Sequence, residues 1–329
     1  MSLSEPANNP IIEVLGSSLT LSEGEDLRAG LFSTPKRIPS HYGYDALGSD
    51  LFDQITHLPS YYLTWVEIEL LHQHARAIID VAQTSDLIEL GSGSTRKTRI
   101  LIDAMSAAGP CTFYPIDISA EMLEKSAQAL AHDYACSIHG VVAPWERGLQ
   151  LLRDRLDRSC TIAFLGSGIG NMSHAERHDF MAMIKDVTRP GDMLLLTADL
   201  QKTPRELERA YVDPPGTSVW GAFRTNRLTH LNQLFDMDFD PSRFYDDSVY
   251  STQDTEIESA LYSTSAQTVK SSRLELEIEL AKGERIIVDY SVKFDRDQLQ
   301  HEVEGYGFQL QGEWIHGPRQ YGAFVYQKR

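Results

Sequence analysis

From Glu67 to Leu200 the chain changes repeatedly between two hydrophobic periods, and this alternation constrains the fold more than any other feature. Apolar residues recur at helical spacing in EIELLHQHARAIIDV (67–81), break at QTSD, and give way to the short apolar run LIEL (87–90). The same change recurs through RKTRILIDAMSAAG, TFYPIDIS, AEMLEKSAQALAHDY, IHGVVA, ERGLQLLRDRL, TIAFLG, HAERHDFMAMIKDVT and DMLLLTADL. Short strands separated by helices predict an α/β fold, a parallel sheet with helices on both faces. The 329 residues, 42% of them hydrophobic, suffice for that core and a second domain.

The rhythm changes after Leu200. Thr203, Pro204 and Glu206 read as the cap, first-turn proline and third-position acid of a new helix. A Pro-Gly turn, Asp213 to Gly216, leads to a helix through Asn226 to Phe235, and then LELEIEL and RIIVDYSVKF alternate as antiparallel strands do. The tail from Asp297 reads helix, strand, glycine-rich loop, strand, an antiparallel edge for the first sheet. The expected division is therefore 68–199 plus 292–329, and 1–67 plus 200–291.

A net charge of −17 repels phosphate backbones and acidic membrane surfaces, so a small molecule is the expected partner and nucleic acid is not. Cys111, Cys136 and Cys160 stand singly, which fits a reducing cytoplasm rather than a zinc site or disulfide framework. His57, His72, His74, His132 and His139 lack metal-ligand spacing, so no metal is expected. The N-terminus has no basic start followed by an apolar run, and no stretch is long enough to span a membrane.

LIELGSGST (87–95) is the chemically informative loop. An acid-bearing strand, a G-x-G turn and a helix present a ligand at the carboxyl end of a strand, with glycine where ligand atoms approach the backbone. Gly91 and Gly93, with Ser92 between them, fit that role, but Arg96 stands where a dinucleotide fingerprint needs its third glycine. Asp117 ends the next strand 24 residues after Gly93, where a carboxylate can accept hydrogen bonds from ribose hydroxyls. Ser119 is the better cap for the following helix, and Ser173 with Glu176 caps the one after Asn171, which leaves Asp117 and Asn171 available for ligands. Glu89 reads as a strand-end charge facing solvent.

Strand, E-x-G-x-G and a later aspartate together resemble the first motifs of class I S-adenosylmethionine-dependent methyltransferases. YDALGSDLFDQITHLPSYYLTWVEIELL further resembles the N-terminal signature of the histidine Nα-methyltransferases that form hercynine in ergothioneine biosynthesis. LIELGSGSTRKTRILIDA, YPIDIS, AFLGSGIGN, RAYVDPPG and VDYSVKF are similar to that family's later blocks, in the same order. The resemblance implies a Rossmann-like sheet and an α+β substrate-binding domain built from the N-terminus and an insertion.

It also implies a site. Gly91, Ser92 and Gly93 would lie against S-adenosylmethionine, Lys97 at its carboxylate and Asp117 on its ribose, with Tyr61 as a cofactor contact or pocket wall. Gly166 and Asn171 would meet the substrate amino acid, Asn171 and Tyr211 holding its carboxylate. Tyr44 would lie near its amino group and orient it for attack, while Asp289 and Ser291 contact the imidazole. Read without the family, Tyr61 and Tyr211 are ordinary half-buried aromatics, and Asp289 faces solvent or pairs with Lys293 or Arg285.

Three positions depart from the family pattern. Pro144 replaces the acid that receives the adenine amino group, so adenine must rest on a backbone carbonyl or stack on Trp145. Asp289 replaces a glutamate and Ser259 a methionine; the smaller pair leaves room for a larger or differently polar side chain, with Trp220, Phe223 and Tyr290 around the candidate pocket, or for imidazole held through a water. The expected reaction is Nα-methylation of histidine to its trimethyl betaine. The alternatives are N-methylation of tryptophan, tyrosine or a related aromatic amino acid, and a non-catalytic S-adenosylmethionine-binding protein.

Overall fold

The computed structural model describes residues 9–15 and 24–329, so much of the stretch read for an export signal lies outside the described residues. The chain forms two compact units. One comprises the described part of Met1–Leu19 with Trp65–Leu200 and Phe294–Arg329, the other the described part of Thr20–Thr64 with Gln201–Lys293.

The first unit is built on an eight-stranded sheet. Its order is Ile11–Val14, Ser137–Val142, Thr112–Asp117, Asp86–Leu90, Thr161–Phe164, Met193–Asp199, Tyr321–Lys328, Phe308–His316. The first six strands run parallel, and the two from the tail close one edge antiparallel, as their sequence pattern predicts. Every residue of Asp86–Leu90, Thr161–Phe164 and Met193–Asp199 is buried, which is why these strands read as apolar runs without alternation. The chain winds outward from Asp86–Leu90 through Thr112–Asp117 and Ser137–Val142, then restarts on the other side at Thr161–Phe164. Open α/β sheets bind ligands outside the carboxyl ends of their strands at such a reversal.

Ser119 caps its helix by accepting from the Met122 amide, and Ser173 and Glu176 form a reciprocal capping box. The N-terminal strand is a difference from the expected division. Ile11–Val14 pairs in parallel with Ser137–Val142 and so belongs with the first unit, because its backbone finds partners on that open edge and Glu13 pairs with Arg155 there.

The second unit holds a four-stranded sheet ordered Lys36–Arg37, Arg285–Val292, Glu256–Ser263, Phe244–Ser251. A separate antiparallel pair, Gln267–Ser271 with Leu276–Leu280, includes the LELEIEL run. The helix Val219–Phe235 contributes Leu228 and Leu231 to a core shared with Tyr42, Leu261, Ile286 and Val288. Asp45 caps the helix Ala46–Thr56 through the Gly48 amide (2.8 Å) and takes a second bond from Asn226 Nδ2 (2.6 Å). A Cβ on Gly48 would stand 1.9 Å from the Gly43 carbonyl oxygen, so only glycine fits there.

Two caps differ in detail from their sequence reading. Thr203 occupies its cap position, but its hydroxyl donates to Glu206 Oε2 (2.9 Å) rather than accepting from the backbone. Asp213, read as part of a turn, reaches across to accept from the Trp220 amide (2.9 Å) and the Gly221 amide (3.0 Å). Asp213→Ala should therefore cost about 1 kcal/mol, the usual worth of an N-terminal cap, measurable as a shift in the urea midpoint.

Candidate active site

The sheet reversal is lined by the glycine loop. Gly91 and Gly93 adopt left-handed φ of 68° and 48°, and the Gly93 amide donates to Asp117 Oδ2 at 2.9 Å. The other oxygen of Asp117 accepts from the Ser119 amide at 2.9 Å. Burial raises the Asp117 pKa, opposed by its backbone donors, including those amides. Each oxygen keeps a lone pair for a hydroxyl donor. Trp145 borders the loop: a Cβ on Gly91 would lie 3.9 Å from its indole, which packs edge-on against Phe164 at 5.1 Å.

Lys97 has a partner that the sequence reading did not anticipate. Its Nζ donates to Glu67 Oε2 at 2.9 Å, and Glu67, only 1% exposed, uses Oε1 to accept from the Gly166 amide (2.7 Å) and Thr197 Oγ1 (2.6 Å). One buried carboxylate thus ties the start of the helix after the glycine loop to the loop holding Gly166, where φ is 76°. Asn171 is exposed at the end of the short turn Gly168–Asn171 on the same loop.

Glu89 is corrected outright: it is 2% exposed rather than solvent-facing. Burial, partly offset by the Thr98 hydroxyl and Lys97, pushes its pKa up to about 8 from an ordinary 4.5. Below pH 4.5 it is protonated folded or unfolded. Between 4.5 and about 8 the unfolded chain releases a proton that the folded chain keeps, so this residue lowers stability by about 1.4 kcal/mol per pH unit as pH rises. Glu89→Gln should melt above wild type at neutral pH, and the gap should close below pH 4.5.

The second unit gathers the remaining candidates. Asp289, expected to face solvent or to pair with Lys293 or Arg285, instead makes a two-pronged ion pair with Arg227 at 2.8 and 2.7 Å. Arg227 is fully buried and Asp289 is 23% exposed. Arg285 goes to Glu258. Ser259 lies directly across the sheet from Asp289, but its hydroxyl meets that of Ser248 at 2.7 Å and it is 1% exposed. Exchanging methionine for serine has therefore left no solvent-sized space around this side chain.

Tyr211 and Ser291 share a hydrogen bond of 2.7 Å, and Lys293 Nζ donates to both oxygens at 2.8 Å. All three residues are buried, so Tyr211 spends its hydroxyl inside this network rather than presenting it openly to a carboxylate. Tyr61 is also buried, edge-on to Tyr211 (5.9 Å) and Trp220 (5.5 Å), which makes it an aromatic wall of the second unit. Tyr44 packs edge-on against Phe52 and Phe223, and burial of its hydroxyl, with Asp289 nearby, raises its pKa above the ordinary phenol value. It therefore keeps its proton at neutral pH.

The comparison with known proteins is decisive. A family profile described as histidine-specific methyltransferase, S-adenosylmethionine-dependent, matches residues 23–328. The chain belongs to this family of histidine-specific methyltransferases. It is 38% identical to the histidine N-alpha-methyltransferase of Mycolicibacterium smegmatis over 88% of this chain and 89% of the relative. Identity to the Mycobacterium tuberculosis enzyme of the same name is 35%, over 92% and 94%. A 4-dimethylallyltryptophan N-methyltransferase of Trichophyton verrucosum is more distant, at 28% over 88% of each chain.

The glycine loop suits the cofactor of the histidine-specific methyltransferases. Ser92 Oγ is buried without a hydrogen-bond partner, and nothing lies within 4 Å of a Cβ placed on Gly93. An orphaned hydroxyl beside an open glycine is a donor waiting for a ligand. Pro144 sits at the cap of the helix Trp145–Arg155 with no side-chain bond, and Trp145 opens that helix beside the glycine loop. No helix among the described residues is long and apolar enough to cross a membrane.

Proposed function

We propose that this methyltransferase converts free L-histidine to its Nα-trimethyl betaine. The carrying observation is the family match across 23–328, supported by two relatives at 38% and 35% identity that are named histidine N-alpha-methyltransferases. When bound, S-adenosylmethionine supplies an electrophilic methyl on a positively charged sulfur. The work of the chain is alignment and exclusion of water. Gly91, Ser92, Gly93, Asp117 and Trp145 hold the ribose and adenine side, with Lys97 toward the cofactor carboxylate. Asn171 and the backbone at Gly166 receive the carboxylate end of the amino acid, and Asp289 with Ser291 holds its ring. Tyr44 keeps its proton, so it orients the amine by hydrogen bonding rather than serving as the base. Ser259 backs Asp289 from across the sheet, and Tyr211 backs Ser291 through a hydrogen bond.

The −17 net charge supports a small-molecule substrate, and three buried free thiols support a reducing cytoplasm. Turnover with each of the twenty amino acids and S-adenosylmethionine tests the reading. Methylated histidine is the expected product; methylation confined to tryptophan or tyrosine, or to nothing, overturns it.

A further inference from the structure

Asp289, Ser291 and Lys293 occupy alternate positions of one extended segment and so share a face of the sheet. Lys293 carries only donors. It gives one hydrogen to Ser291 Oγ and one to Tyr211 Oη, each at 2.8 Å, so neither oxygen can donate back to it. The hydrogen shared between Tyr211 and Ser291 comes from the more acidic partner, the phenol. Ser291 Oγ then accepts twice, from Lys293 and Tyr211, and its own hydrogen is the one left to point outward.

Asp289 is fixed in the opposite sense. Arg227 gives both carboxylate oxygens a hydrogen, which fixes the group as an acceptor and leaves each oxygen a lone pair. We infer that Lys293 and Arg227 are positioning residues that set the polarity of the ring subsite, Ser291 as donor and Asp289 as acceptor. The subsite consequently takes a ring bearing one N–H and one bare nitrogen, the neutral imidazole, and rejects imidazolium. This inference rests on the proposed assignment of Asp289 and Ser291 to the substrate ring.

Charge agrees with polarity. The groups around the Asp289 and Ser291 pair are Arg224 and Arg227 from the helix Val219–Phe235, Asp246 from the strand Phe244–Ser251 two places across the sheet, Lys293 from its own segment, and the phenols Tyr44 and Tyr211. Three cations face two carboxylates, so a further positive charge on the ring is unwelcome. An indole, with a donor and no bare nitrogen, leaves the Ser291 hydrogen unmet, which is the costly outcome for a buried donor.

Calorimetry with S-adenosylhomocysteine bound tests this without any mutation. L-Histidine is compared with 3-(1,2,4-triazolyl)alanine, which shares the α-amine but keeps a neutral ring at mildly acid pH. The affinity of histidine relative to this analogue should fall about tenfold per pH unit below about 6.5, where imidazole protonates. A flat ratio overturns the inference. Lys293→Met should weaken histidine at least tenfold and flatten the pH dependence, while Lys293→Arg should restore part of both. Lys293→Met with wild-type affinity and slope overturns the inference too. If that variant does not fold, the wild-type titration decides alone. Histidine methylated with a flat ratio removes only the polarity assignment; no binding or methylation of histidine at any pH removes the proposed function with it.

Discussion

Arg227→Met is expected to destabilise the protein by about 3 kcal/mol and to abolish histidine binding. The guanidinium is fully buried and holds both oxygens of Asp289, and removing one member of such a pair leaves the other charge uncompensated. The 23% exposure of Asp289 lets water offset part of that cost, which places the estimate at the lower end of the range for buried pairs. A Cβ on Gly43 would approach Arg227 Nε to 2.5 Å, so the backbone there is packed on the guanidinium and will feel its loss. Urea unfolding measures the first effect. The double variant Arg227→Met with Asp289→Leu should regain most of the stability, because a matched apolar pair carries no orphaned charge, yet it should still fail to bind histidine. Recovery of binding would show that Asp289 has no part in holding substrate.

Glu67→Ala should be similarly costly, about 3 kcal/mol, and should weaken S-adenosylmethionine at least tenfold. Three donors converge on that carboxylate: Lys97 Nζ, the Gly166 amide and Thr197 Oγ1. Thr197 is 0% exposed and finds no water when its acceptor goes. The loops carrying Gly166 and Lys97 also lose their common anchor. Glu67→Gln keeps an acceptor for two of the three donors, so it should retain most of the stability while losing the Lys97 ion pair. Calorimetry of cofactor binding to both variants separates the two effects; wild-type affinity in Glu67→Ala would remove Glu67 from the cofactor site.

Much of this architecture is legible in the sequence because the signals are local. Period changes from 67 to 200 give the parallel sheet, the tail gives its antiparallel edge, and serine followed by glutamate three residues later gives the cap at Ser173. Glu67 was not legible as a hub because a helix reading assigns acids to the wet face. The clue is its spacing: it precedes Leu70 and Leu71 by three and four residues and so lies on the apolar stripe. Arg224 lies on the stripe of Leu228 and Leu231, four and seven residues on, in a helix buried on most sides. No local pattern predicts that Arg227 would reach Asp289, 62 residues away, or that Tyr211 would meet Lys293, 82 residues away. Such partners are chosen by tertiary packing, and with them the electrostatics of the substrate site.

The central claim is that histidine is methylated on its α-nitrogen, and NMR of the product made from methyl-labelled S-adenosylmethionine tests it most directly. The account predicts labelled methyl groups that correlate through nitrogen with the α-carbon of histidine, reaching three per molecule. Label on a ring nitrogen, or no labelled histidine product while another amino acid is methylated, would contradict it.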